Sequence, residues 1–224
     1  MGGSPPLYLP RVEALVSAAQ SFALEFGSRK HPKMRGVRDS KRVGDYIEKQ
    51  FKAFLVREGM IGADEGNSAL GIDLPSLNTD IKSTSKKQPQ SSSPFRSLRQ
   101  KIEGLGHNLL LFVYEREKDV NFNFSAVRFI PANRTGDYAT TLQLRELIEQ
   151  GAGEETLFGW LAAKQADSNF DYDVDDLKEY ARALIGAPPG QGWLTLSAAF
   201  QWRLQYGRVL TTATPDGVLD ALSA

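Results

Sequence analysis

The sequence contains no cysteine and only two histidines, His31 and His107. The first absence removes disulfides and thiolate zinc sites. The second argues against chemistry that needs a histidine pair or a multi-histidine metal cluster. No G-x-S-x-G elbow, Walker A loop or G-x-G-x-x-G turn is present. No apolar run approaches the roughly 20 residues that a membrane helix needs. The first residues, Met1 to Pro6, lack the apolar stretch of a secretory leader. These absences predict a cytoplasmic protein. Net charge is also missing: 27 basic residues balance 27 acidic ones. Within 224 residues, 41% of them hydrophobic, the chain has enough apolar material for one large domain, or for a core with a small appendage.

The balanced charge is not evenly spread. Arg29 to Arg42 holds seven basic residues against the single acid Asp39, and Lys82 to Lys101 holds six with no acid. Asp167 to Glu179 is acidic, with Lys178 its only base. Segregation of this kind fits a face that binds a polyanion, although ordinary solvated loops would also carry it.

Hydrophobic spacing places the elements. Val12, Leu15, Val16, Ala19, Phe22 and Phe26 predict a helix from Pro10 to Phe26, ended by Gly27. A second helix is expected with Ser40 as cap, Val43, Ile47, Phe51, Phe54 and Leu55 inside, and Gly59 at its end. Gly71 to Thr84 reads as two short strands joined by a tight turn at Pro75 to Asn78. Ser83 to Ser93 is polar and basic, and its run Gln88 to Ser93 reads as a flexible loop, followed by a helix capped by Ser93 with Pro94 in its first turn. Leu109 to Tyr114 is an apolar run typical of a buried central strand. Phe122, Phe124, Ala126 or Val127, and Phe129 mark another strand between Asn121 and Ile130. Further helices are expected over Tyr138 to Gln150, Glu154 to Lys164 and Asp173 to Ile185. Trp193, Phe200, Trp202 and Tyr206 read as core aromatics.

The hairpin carries the chemistry. Residues i and i+2 of a strand share a face, so Asp80 and Lys82 stand side by side while Ile81 turns into the core. Asp73 joins them across the hairpin. Two carboxylates and an ammonium at one point can bind a divalent metal and activate water beside it. An exposed strand with a surface ion pair would carry the same D-x-K triplet, and the surrounding order of elements is what adds weight.

This arrangement resembles the PD-(D/E)XK nuclease superfamily, and more closely its type II restriction endonucleases. The first acid is Asp73, six residues separate it from Asp80, and Lys82 completes the acid-x-lysine pair. Pro75 follows the first acid, where the family's proline precedes it. The segment Val43 to Glu48 resembles the helix that carries an additional glutamate in such enzymes.

The resemblance implies a mixed α/β (α+β) fold. Its nuclease core would be a mixed central sheet flanked by helices, over residues 37–135. Residues 1–36 would form an N-terminal helix and basic loop. Residues 136–224 would form a mainly helical region that completes the fold. It implies Mg2+-dependent, site-specific hydrolysis of double-stranded DNA by a homodimer. Asp73, Asp80 and Lys82 would be catalytic. Asp73, Asp80 and the Ile81 carbonyl would hold metal, with Glu48 either a further ligand or a solvated helix residue. Lys86, Lys87, Ser91, Ser92, Arg96, Arg99, Gln100 and Lys101, with Arg35 and Arg38, are the expected DNA contacts. A structure-specific repair nuclease of the superfamily, a non-catalytic DNA-binding module and a small-molecule hydrolase are the alternatives.

Overall fold

The computed structural model describes residues 8–62, 71–92, 97–166, 173–197, 203–213 and 215–223. In chain order its elements are α1 (Tyr8–Gly27), α2 (Ser40–Arg57), β1 (Thr79–Ser85), β2 (Gln90–Ser92), α3 (Leu98–Glu103), β3 (Asn108–Glu117), β4 (Asn121–Ile130), α4 (Tyr138–Glu149), α5 (Glu154–Ala166), α6 (Val174–Gly186), β5 (Thr195–Ser197), β6 (Arg203–Gln205), α7 (Gly207–Thr211) and β7 (Leu219–Asp220). Two compact units result. One holds Met1–Ser91, His107–Pro131 and Gly217–Ala224; the other holds Ser92–Gly106 and Ala132–Asp216.

The first unit is built on a four-stranded mixed sheet of order β1-β3-β4-β7. β1 runs parallel to β3, with Asp80 opposite Leu109 and Lys82 opposite Leu111. β3 pairs antiparallel with β4, and β4 with β7. The continuous run Leu109 to Tyr114 is buried throughout, as a central strand requires. α1 and α2 bury the residues their helical spacing selects. Phe22 of α1 and Phe51 of α2 meet at 5.1 Å between ring centroids, and Phe51 meets Phe112 of β3 at 5.0 Å. These tilted and edge-on contacts join both helices to the sheet.

Several local expectations need correction. α2 is capped by Asp39, not Ser40; the Asp39 carboxylate accepts the Lys41 amide at 2.9 Å. Its end is as expected. Gly59 takes a left-handed φ of 68°, and the amides of Gly59 and Met60 return to the carbonyls of Val56 and Leu55. The expected two-stranded hairpin is reduced to β1 and one antiparallel bridge, Leu74 to Thr79. Pro75 opens a 3-10 turn to Leu77, and Asn78 closes it in the left-handed region at φ 45°. The expected flexible loop from Gln88 is cut short, since Gln90–Ser92 is a strand. The buried Thr84 hydroxyl receives the Gln90 amide at 3.1 Å, which fixes the returning chain.

In the second unit, Leu98 and Ile102 of α3 pack with Leu144 of α4, Leu157 and Leu161 of α5, and Leu177, Tyr180 and Leu184 of α6. α3 is capped by Ser97, whose hydroxyl accepts the Gln100 amide at 3.1 Å; the expected cap Ser93 and Pro94 lie outside the described residues. Asp137 caps α4 through Thr140 and also accepts the Leu196 amide at 3.0 Å. Gly104, at φ 97°, has no room for a side chain: a Cβ there would stand 2.5 Å from the Ala132 carbonyl. β5 and β6 form an antiparallel pair. The three helices expected after Tyr138 are present as α4, α5 and α6, and the last strand, β7, belongs to the first unit's sheet. Tyr206 is fully buried and Trp193 half-buried; Phe200 and Trp202 lie outside the described residues.

Candidate active site

β1 is an edge strand of the four-stranded sheet, and its alternation separates two jobs. Ile81 enters the core at 2% exposure, while Asp80 and Lys82 project together from the other face. The Lys82 ammonium meets the Asp80 carboxylate at 2.6 Å. Asp73 reaches the same strand with its side chain: Oδ2 accepts the Ile81 amide at 2.9 Å. That amide would bond a partner strand's carbonyl in a longer hairpin. The carboxylate takes its place, so the first acid is held against the backbone between Asp80 and Lys82.

Asp73 has a second partner. Its Oδ1 accepts from Lys52 Nζ at 2.7 Å, and the same ammonium reaches Glu48 Oε1 at 2.9 Å. Glu48 and Lys52 are one turn apart on α2, on one helix face. The structure thus brings Glu48 into the cluster of Asp73, Asp80 and Lys82. It adds two residues that the sequence reading did not select. Lys52 had a usable signal, its i+4 spacing from Glu48. His107 had none, because it depends on strand register. Thr79 lies opposite Asn108, which leaves the preceding His107 with Nε2 3.9 Å from Asp80 Oδ2.

Burial and crowding set the electrostatics. Burial pushes the Asp80 carboxyl up to about 6 against the pull of Lys82, and neighbouring Asp73 adds to the rise. Burial likewise raises Glu48 to about 7, although Lys52 opposes it. Asp73 moves the other way. Burial alone would raise it, but hydrogen bonds from Asp80, Lys52, Glu48 and the Ile81 amide hold it down to about 2. One acid ionised beside others reluctant to ionise is the behaviour of crowded carboxylates lacking enough positive charge.

Among the described residues, no group of three or more acidic or histidine side chains is arranged to hold a metal ion as it stands. The ammonium of Lys52 stands between Asp73 and Glu48. The candidate donors are the carboxylates of Asp73, which is bound to β1, and of Asp80 on that strand, with the main-chain carbonyl of Ile81. All are oxygens, and this set suits a small hard divalent cation that keeps several of its own waters.

The expected DNA contacts are scattered in their surroundings. Arg35, Arg38, Lys87 and Ser92 are exposed, and Ser91 is half-buried. Lys86 is already paired with Glu115 at 2.6 Å. Arg99 lies on α3 with its guanidinium 4.3 Å above the Tyr180 ring, and Gln100 and Lys101 follow it half-buried; Arg96 lies outside the described residues. The basic loop before α2 is fixed from below by Arg116, which donates to the carbonyls of Val37 at 2.7 Å and Met34 at 2.9 Å. His31 is structural. It stacks on Phe26 at 3.8 Å, donates from Nε2 to the Phe26 carbonyl and accepts the Tyr46 hydroxyl at Nδ1. In the acidic segment, Asp173 caps α6 and Asp175 and Asp176 occupy its first turn, where negative charge complements the helix dipole.

A model of the family described as Type II restriction enzyme NspV matches residues 10–220. The chain belongs to this family. The Type II restriction enzyme NspV of Nostoc sp. is 39% identical over 214 residues, which cover 93% of this chain and 94% of that protein. As an NspV-family restriction enzyme, the chain is a site-specific DNA endonuclease, and double-stranded DNA is its binding partner. A divalent metal is the cofactor class of such enzymes. Among the described residues no helix is long and apolar enough to cross a membrane.

Proposed function

We propose that Asp73, Asp80 and Lys82 are the catalytic centre of this restriction enzyme, and that Mg2+ is its metal. The observation that carries the reading is the Asp73 carboxylate bound to the Ile81 amide, which draws the first acid to the strand bearing Asp80 and Lys82. Asp73, Asp80 and the Ile81 carbonyl would hold the ion, with Glu48 beside them. When bound, Mg2+ supplies a lowered pKa for a coordinated water and offsets charge gathering on the phosphate.

The chain's own groups do the rest. Asp80 anchors the Lys82 ammonium on the strand's outer face, where Nζ can orient the attacking water and stabilise developing negative charge. In the hydrolysis, the water oxygen bonds to phosphorus and the P–O ester bond breaks. One water proton is lost and the leaving oxygen gains one. Ile81, buried beneath, keeps Asp80 and Lys82 facing the same way.

Arg35, Arg38, Lys87, Ser91 and Ser92 would contact DNA, together with Lys86, Arg96, Arg99, Gln100 and Lys101. Phosphate contacts from such groups position the duplex, and a few would read base edges. A homodimer cutting a two-fold symmetric site in the cytoplasm completes the reading, since one catalytic centre cuts one strand. The test is digestion of phage DNA. Discrete fragments with Mg2+, and none with EDTA, support the reading; uniform degradation or fragments in EDTA would reject it.

A further inference from the structure

Lys52 has no part in the chemistry just proposed, yet it makes the most demanding contacts in the cluster. Its side chain is 20% exposed and its ammonium touches two carboxylates, Asp73 at 2.7 Å and Glu48 at 2.9 Å. Asp73 is only 18% exposed at its side chain. Its two oxygens are both committed, Oδ2 to the Ile81 amide and Oδ1 to Lys52. The first bond belongs to the fold, because it anchors the turn to β1. Any cation that takes Asp73 through Oδ1 therefore meets the Lys52 ammonium in the same place.

We propose that Lys52 is a positioning residue that stands in for the divalent cation, holding Asp73 and Glu48 together in the metal-free enzyme and yielding Oδ1 when the metal binds. The inference rests on the reading of Asp73 as a metal ligand. Three observations support it. The carboxylates would repel one another without an interposed positive charge. Lysine carries a compact charge on a flexible four-carbon stem, so it can leave Oδ1 without moving α2. Glu48, one turn away on the same helix, gives the displaced ammonium a partner it already holds. Lys52 thus keeps the ligands in place before metal arrives, at the expense of competing with it.

A plain structural ion pair between α2 and the Asp73 turn would look the same in the metal-free protein, but it differs in response to substitution. The probe is Ca2+ alone, titrated calorimetrically into the full chain without DNA, alongside thermal melting in EDTA. Lys52→Met should lower the melting temperature in EDTA and tighten Ca2+ binding, by about tenfold for removal of one competing charge at close range. Lys52→Arg keeps the charge and grips carboxylates through a planar fork, so it should weaken Ca2+ binding. Should Lys52→Met fail to fold, the arginine variant still decides. Unchanged Ca2+ affinity in either folded variant, or weaker binding in Lys52→Met, would overturn the stand-in role. Asp73→Asn separates this failure from failure of the site itself. If that variant binds Ca2+ like the parent, or if the parent binds none, Asp73 is not a ligand and both readings fall.

Discussion

The carboxylate of Asp73 accepts the main-chain amide of Ile81 at 2.9 Å. This bond joins the first acid to the strand that carries the second acid and the lysine. It makes the spacing between Asp73 and Asp80 a geometric consequence of one short turn. Asn78 in the left-handed region and the Leu74–Thr79 bridge set the length of that turn.

The same crowding gives a pH dependence. In the metal-free fold Glu48 lies at about 7 against an ordinary 4.5, and Asp80 at about 6 against 3.8. Both acids are raised, so the folded state holds more protons than the unfolded state between those limits. Their contribution to stability is complete below about pH 4 and is lost as pH rises through 6 and 7. Asp73 is lowered, and its contribution is lost only as pH falls from 3.8 toward 2. Melting in EDTA should therefore show stability falling from about pH 4 to pH 7. Addition of Ca2+ should raise the melting temperature more at pH 7 than at pH 5. A flat profile, or a larger Ca2+ effect at pH 5, would contradict the assignment.

Glu48 provides a second test. Glu48→Gln keeps the side chain's size and removes its charge. If the carboxylate supports the metal, cleavage should need more Mg2+, with partial recovery in Mn2+. The measurement is activity against metal concentration, and parental behaviour would leave Glu48 a partner of Lys52 only.

Basic residues should separate by their existing partners. Arg35, Arg38, Lys86 and Lys87 are all exposed, but Lys86 is paired with Glu115. Alanine at each phosphate-contacting position should reduce the slope of log affinity against log salt by about one and weaken all sequences alike. Lys86→Ala should change it less than Lys87→Ala. Equal slopes across the set would mark these loops as plain solvated surface.

Arg116 should matter through the loop it fixes. Its guanidinium donates to Val37, Met34 and Asp119 carbonyls. Arg116→Gln should cost about 1–3 kcal/mol of stability, because two part-buried charge-assisted bonds and one exposed one are lost together. It should also weaken DNA binding more than it slows cleavage at saturating DNA. Urea melts and binding curves measure the two effects.

The parts of the fold readable from sequence were those set by local periodicity. Phe22, Phe51 and Phe112 were legible as core positions because helix spacing and an apolar run marked them. Asp80, Ile81 and Lys82 were legible because strand alternation fixes which side chains share a face. Asp39 was overlooked as a cap beside Ser40, since both residue types cap helices well. The strand at Gln90 was hidden by polar composition, because the Thr84 hydroxyl orders it and no apolar pattern shows. Lys52 was marked only by its i+4 spacing from Glu48, and His107 enters the cluster through the register of β1 on β3, which no local pattern encodes.

Oligomeric state has a separate test. Parent chains mixed with an excess of Lys82→Ala chains should convert supercoiled plasmid to nicked circles, because each mixed dimer cuts one strand. Linear product in proportion to the active chain, with a monomeric mass on DNA, would overturn the dimer.

The central claim is that Asp73, Asp80 and Lys82 act as one hydrolytic centre. Its most direct test is plasmid cleavage in Mg2+ by Asp73→Asn, Asp80→Asn and Lys82→Met, with DNA binding in Ca2+ measured in parallel. The account predicts that each variant binds DNA and loses cleavage by on the order of a thousandfold or more, as expected when several kcal/mol of transition-state stabilisation are removed. Parental cleavage by any of the three, in protein that still melts cooperatively, would contradict it.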